Sequence, residues 1–136
     1  SVATISLKGV KFRTASVHLA TAFMTSKKRW QQVESLKLYL TEGNENHDTF
    51  IIGGDFNAVT TSYRKKIINM FDSLGFAHAS SGVGTTQSGK IPFLKPEFDM
   101  IFSKGLSVLD KGKIVDSSSE YSMFPFLFSP KLALLN

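Results

Sequence analysis

Apolar and polar positions alternate over residues 3–7, the period-two pattern of a half-buried strand. Lys8-Gly9 reads as a turn, and residues 10–19 alternate again, so the two runs predict a hairpin. The hairpin ends in Ser16-Val17-His18-Leu19, with His18 among apolar neighbours. The period then changes. Residues 20–26 read as a loop with Ser26 as an N-cap, and Trp30, Val33, Leu36 and Leu40 fall at helical spacing, predicting an amphipathic helix over 27–40. Gly43 and the polar run 44–48 end it. Phe50-Ile51-Ile52 is a short buried-strand signal. Ile67, Met70, Phe71 and Leu74 repeat at i, i+3, i+4 and i+7, a second helix capped by Thr61 or Ser62 and stopped at Gly75.

Residues 76–79 fit a short strand. Residues 80–96 are rich in Gly, Ser, Thr and Pro, a loop of a length that in a compact domain goes with function or disorder. Residues 98–102 read as a strand with one acid, Asp99, between apolar residues. Lys104-Gly105 turns into a strand over 106–115, interrupted at 110–112, and a polar loop covers 116–122. A last strand region, 124–135, is broken by Pro125 and Pro130, which suits an edge or a bulge. No repeat or internal boundary interrupts the order, so residues 1–136 read as one domain. The order predicts an α+β fold, with helices packed on one face of a mainly antiparallel or mixed sheet.

Composition changes this picture little. The chain has 136 residues, 42% of them hydrophobic, enough for a real core. No apolar run is long enough to span a bilayer, and the first residues lack a charged-then-apolar signal pattern. There is no cysteine, which excludes disulfides and thiolate metal sites. The net charge of +5 suits an anionic partner such as nucleic acid. Lys27-Lys28-Arg29 and Tyr63-Arg64-Lys65-Lys66 place cations in the first turn of each helix. That is the unfavourable end of the macrodipole, at a cost of roughly 0.3–1 kcal/mol each. An anion site accounts for the cost, with Lys28, Arg29, Arg64 and Lys65 as the phosphate-binding candidates. A solvated basic face accounts for it equally.

The chemistry gathers in Gly53-Gly54-Asp55-Phe56-Asn57. In an extended segment, residues two apart share a side, so Asp55 and Asn57 face one point while Phe56 turns to the core. A carboxylate beside a carboxamide suits a hard divalent cation or a phosphate held against it. The glycines admit a close backbone or ligand. A strand running into an Asx-type turn uses the same residues. His18 is a catalytic candidate and equally a structural histidine. His47 reads as solvated and His78 as structural.

Ser16-Val17-His18-Leu19, a basic helix with Trp30-Gln31-Gln32, Ile51-Ile52-Gly53-Gly54-Asp55-Phe56-Asn57 and Phe98-Asp99-Met100-Ile101-Phe102 occur in that order. The set resembles the endonuclease/exonuclease/phosphatase superfamily, the DNase I-like proteins, over the C-terminal half of their domain. The resemblance implies an α+β, DNase I-like fold: one half or part of a two-sheet sandwich, covered on its outer face by helices. It implies hydrolysis of phosphodiesters or other phosphate esters with Mg²⁺ or Mn²⁺. His18 would bond the scissile phosphate or protonate the leaving group. Asp55 would orient the attacking water, Asn57 would position the phosphate, and Asp55 and Asp99 would serve the metal.

Two departures stand beside it. The family's terminal Ser-Asp-His-x-Pro is replaced by Tyr121-Ser122-Met123-Phe124-Pro125, and Met123 cannot take a proton. The family's Asn and metal-binding Glu belong to the other half, and Glu34, Glu42, Glu45, Glu97 and Glu120 lie in no matching motif. Two functions therefore stay open. One is a metal-dependent phosphoesterase acting on nucleic acid or another phosphate ester. The other is a catalytically impaired member or fragment serving as a binding or structural module. In either case a half-sandwich implies a homodimer or second chain that completes it.

Overall fold

The computed structural model describes residues 1–20, 26–42, 49–83, 98–111, 114–115, 122–123 and 126–129. β1 (Val2–Leu7) and β2 (Val10–His18) form the expected hairpin. Its turn is Lys8-Gly9, both with positive φ (50° and 82°). That is the geometry a two-residue hairpin needs to match the twist of its strands. α1 (Ser26–Thr41) follows, then β3 (Phe50–Asp55), α2 (Thr61–Ser73) and β4 (Ala77–His78). β5 (Asp99–Lys104), β6 (Ser107–Lys111), β7 (Ile114–Val115), β8 (Ser122–Met123) and β9 (Phe126–Ser129) complete the order.

The main sheet has five strands in the order β1-β2-β3-β5-β4. Only β2 and β3 are parallel, with α1 in the connection between them. This mixed sheet with two helices is the α+β arrangement the pattern predicts. Separate two-stranded pairs, β6 with β9 and β7 with β8, lie beyond it. Of the strand region expected over 124–135, the described residues 126–129 form β9 and the rest lies outside the described residues; Ser122-Met123, placed at the end of a loop and in the terminal motif, pairs with β7.

One side of the sheet carries the core. Ala15, Phe50, Ile52, Met100 and Phe102 alternate with outward residues and pack against Val33 of α1 and Ile67, Met70 and Phe71 of α2. Phe71 lies flat on Phe102 with ring centroids 3.9 Å apart, and Phe56 meets both edge-on. Each fully buried side chain of this size contributes roughly 1.5–3 kcal/mol. Trp30, Leu36 and Leu40 pack on the cluster from α1, as their spacing requires. The other side of β1 and β2 keeps apolar residues in contact with water, Ile5 at 41% and Leu7 at 60% exposure.

Helix starts differ from expectation by a residue or two. α1 includes Ser26 rather than beginning after it. α2 is capped by Thr60, not by Thr61 or Ser62: its hydroxyl accepts from Tyr63 N–H at 3.2 Å, with extended backbone (φ −99°, ψ 142°). Three hydroxyl residues in a row can all cap, and the one left extended by the preceding turn takes the role. Gly75, at φ 79°, ends α2 as expected.

Candidate active site

Parallel β2 and β3 bring their C-terminal ends to one edge of the sheet, and antiparallel β5 begins there. The register places His18 opposite Asp55, and Asp55 opposite Asp99. Three strands thus present an imidazole and two carboxylates in one row on one face. His18 Nε2 lies 3.9 Å from Asp55 Oδ2. The His18 side chain is 75% exposed and that of Asp55 37%, so the pair is open to a ligand and contributes little as an ion pair.

Glycine makes the row possible. A Cβ on Gly54 would lie 1.9 Å from Val17 O, and its φ of 147° belongs to glycine. Only hydrogen at this position lets β3 close on β2 beside His18. Phe56 is fully buried, as the alternation predicts, and its N–H donates to Phe98 O at 2.8 Å, locking the start of β5 to the end of β3.

Asn57 departs from the expected geometry. It does not continue the extended strand but turns left-handed, at φ 48°. Its N–H donates to Asp55 Oδ1 at 2.8 Å, closing an Asx turn. Its Nδ2 donates to Leu19 O at 2.7 Å, on β2's side of the sheet. The carboxamide therefore braces two strand ends. The alternation argument fails here because the Asx turn breaks the period immediately after Phe56.

A residue of the Trp30-Gln31-Gln32 segment, to which the sequence pattern assigned no role, also reaches this edge. Gln32 of α1 accepts from Ala20 N–H through Oε1 at 2.8 Å. Nothing local distinguishes Gln32 from the neighbouring exposed polar residues of the helix. Only the packing of α1 beside β2 gives it a partner.

The basic helix starts divide. Neither helix has an acid in its first turn. Arg29 sits over the ring of Tyr63 (5.0 Å to the centroid), and Lys66 over Trp30 (5.7 Å), while Trp30 and Tyr63 meet edge-on. This packing joins the two N-terminal turns, and burial raises the Tyr63 pKa although the Arg29 charge opposes it. Arg64 acts instead on His78. The His78 ring lies over Phe102 at 5.0 Å and shares a 3.1 Å contact with Ser80 Oγ, which accepts from Ile101 N–H. Burial first, then the charges of Lys111 and Arg64, lower its pKa. Lys28 and Lys65 are exposed at their helix starts. Of the expected phosphate-binding cations, then, Arg29 packs on Tyr63, and the charge of Arg64 is felt weakly at His78.

Among the described residues no group of three or more His, Asp or Glu is placed to hold a metal ion. Asp55 and Asp99 alone are brought into register. Glu34 lies in α1 and Glu42 just beyond it. Glu45, His47, Glu97 and Glu120 lie outside the described residues, as do residues 84–96 of the expected loop.

An α+β sheet with its helices on one face, and an acid–imidazole row at one edge, defines the class. The particular fold is DNase I-like. The chain superposes on the inositol polyphosphate 5-phosphatase domain of SPsynaptojanin, solved with inositol (1,4)-bisphosphate and a calcium ion, with TM-score 0.60 and 14% identity, over 89% of this chain and 47% of that one. It superposes on D. rerio TDP2 complexed with single-strand DNA product, with TM-score 0.65 and 16% identity, over 88% and 55%. Staphylococcus aureus beta toxin gives TM-score 0.55 and 16% identity, over 94% and 55%. The chain thus spans about half the length of these proteins. No protein-family profile and no curated protein matches it by sequence. Among the described residues no helix is long and apolar enough to cross a membrane.

Proposed function

We propose that residues 1–136 are one domain, equivalent to the C-terminal half of the DNase I-like fold, and that it carries a metal-dependent phosphoesterase site. The observation behind this reading is the register of His18, Asp55 and Asp99 at one sheet edge. Directly opposed like charges destabilise a sheet, and a bound divalent cation removes that penalty. Mg²⁺ keeps several waters and commonly takes only one or two carboxylates from its protein. Asp55 and Asp99 fit that donor set, for Mg²⁺ or Mn²⁺. When bound, the ion would neutralise charge on the phosphate.

The chain's own residues then have distinct tasks. His18, open to solvent, hydrogen-bonds the scissile phosphate or gives a proton to the leaving oxygen. Asp55 Oδ2 orients the attacking water, since Oδ1 is already held by the Asn57 amide. Asn57 fixes this corner, and whatever it offers the phosphate comes from the second hydrogen of Nδ2. Lys28 and Lys65, at the exposed helix starts, supply positive potential for nucleic acid or another phosphate ester, with Arg29 and Arg64 behind them. The exposed apolar side chains of Ile5 and Leu7 support a second layer over that face, with a second copy or another chain as the candidate.

Plasmid DNA and an aryl phosphodiester, incubated with Mg²⁺ or Mn²⁺, with EDTA and with Asp55→Ala, test the proposal. Metal-dependent turnover absent from Asp55→Ala supports it. Turnover equal in both proteins is contamination and sinks it.

Ser122 and Met123 favour a second reading, a family-derived module that binds phosphate esters without cleaving them. Met123 cannot act as a base and Ser122 cannot hold an imidazolium. In an active protein, Ser122→Asp with Met123→His raises turnover. Binding of a phosphate ester without turnover, in wild type and double variant alike, selects the binding module.

A further inference from the structure

The peptide unit between Leu19 and Ala20 has both polar groups held by side chains. Its carbonyl accepts from Asn57 Nδ2 at 2.7 Å, and its N–H donates to Gln32 Oε1 at 2.8 Å. The β2–β3 register ends one residue earlier, at His18 opposite Asp55. Leu19 N–H still reaches Asp55 O at 2.9 Å, and beyond that bond the chain's course is set by two carboxamides. One stands on the turn after β3 and the other on α1.

We infer that Gln32 is a positioning residue for His18, acting through the Leu19–Ala20 peptide that it shares with Asn57. The His18 ring is largely in solvent and 3.9 Å from Asp55 Oδ2, so this contact holds it loosely. Its direction follows from the backbone at the end of β2. Asn57 ties that end to β3, and Gln32 ties it to α1. With the Gln32 acceptor removed, the peptide is held on one side only and rotates about it. The end of β2 then frays toward His18. A helix that otherwise only covers the sheet thereby fixes the imidazole in the row. The inference rests on the proposal that this row is a site, and its central measurements need no turnover.

The test compares wild type with Gln32→Met, which keeps length but removes the acceptor, and Gln32→Glu, which keeps an acceptor. Amide exchange at Ala20 and the ring cross-peaks of His18 and His78 are read by NMR. One average hydrogen bond lost accelerates exchange roughly fivefold. The expected result is that acceleration at Ala20 in Gln32→Met, with the His18 ring signal moved, His78 unmoved, and both effects reversed in Gln32→Glu. Where hydrolysis is measured, kcat of Gln32→Met falls by roughly tenfold or more with KM within about twofold, as for a small misplacement of a reacting group. An Ala20 amide that exchanges as an open loop in wild type overturns the inference whatever the variants do. So does a His18 ring unmoved in Gln32→Met, or an unchanged kcat. Absence of hydrolysis in wild type removes the phosphoesterase proposal alone.

Discussion

Asp55 and Asp99 stand directly opposite one another in the β3–β5 register, at the edge where His18 also arrives. Two carboxylates in that relation repel at a cost of roughly 0.2–1 kcal/mol. A divalent ion held by these carboxylates would offset the cost, by about 2.7 kcal/mol at a hundred times its Kd. Asp55→Asn keeps an oxygen for the Asn57 amide and removes one charge. Its metal-free stability therefore stays within about 0.5 kcal/mol of wild type or rises, while the Mg²⁺- or Mn²⁺-induced increase in Tm disappears. Thermal melts with EDTA and with metal decide this. An equal metal response in both proteins counts against Asp55 as a ligand.

Gly54 cannot be replaced cheaply. A methyl group there meets the backbone of Val17, its carbonyl oxygen at 1.9 Å, and the φ of 147° adds strain. Gly54→Ala lowers stability by roughly 2–5 kcal/mol. Gly9 also has positive φ, 82°, but nothing lies within 4 Å of its added Cβ. Gly9→Ala therefore costs about 1 kcal/mol. Denaturant midpoints of the two variants separate steric closure from dihedral strain.

His78 makes stability fall with acid. Burial and the nearby Lys111 and Arg64 charges favour its neutral form in the folded protein. Ser80 Oγ accepts from Ile101 N–H, so its own proton is available to the neutral ring. The folded pKa lies below the ordinary 6.5, so the unfolded chain takes up more protons between the two values. This contribution is present above about pH 6.5 and is lost as pH falls toward the folded pKa. Denaturant melts at pH 7.5 and 5.5 should show a larger loss for wild type than for His78→Phe. Equal losses would show that the ring does not titrate with folding.

Among the described residues, the buried hydroxyl of Tyr63 has no hydrogen-bond partner. Tyr63→Phe removes that oxygen and leaves the ring under Arg29 and beside Trp30. Stability is expected to stay level or rise by up to about 1 kcal/mol. Tyr63→Leu, which loses the ring as well, falls by roughly 0.5–1 kcal/mol from the cation contact alone. A loss of more than about 1 kcal/mol in Tyr63→Phe would mean that the hydroxyl is bonded in solution.

Much of this molecule is written in local pattern. The spacing of Trp30, Val33, Leu36 and Leu40, and of Ile67, Met70, Phe71 and Leu74, gives both helices, because a buried helical face must repeat every three to four residues. Lys8-Gly9 gives the hairpin, and Phe50-Ile51-Ile52 the strand that delivers Asp55. Cap choice was less legible, because Thr60, Thr61 and Ser62 are chemically alike and only the backbone at Thr60 is extended. The backbone at Asn57 was equally ambiguous, since an Asx turn and an extended strand use the same residues and only its φ of 48° selects the turn.

The sequence by itself determined the α+β order, the apolar faces and the presence of His18, Asp55, Asn57 and Asp99 at element ends, because hydrophobic period and turn chemistry are short-range properties. Tertiary structure decided which of these meet. The β2–β3–β5 register, a long-range choice, puts His18, Asp55 and Asp99 in one row. The packing of the two helices puts Arg29 over the Tyr63 ring. The hydrogen bonds of Asn57 and Gln32 to one peptide join residues 38 and 12 positions apart in the chain, separations at which no local pattern carries information.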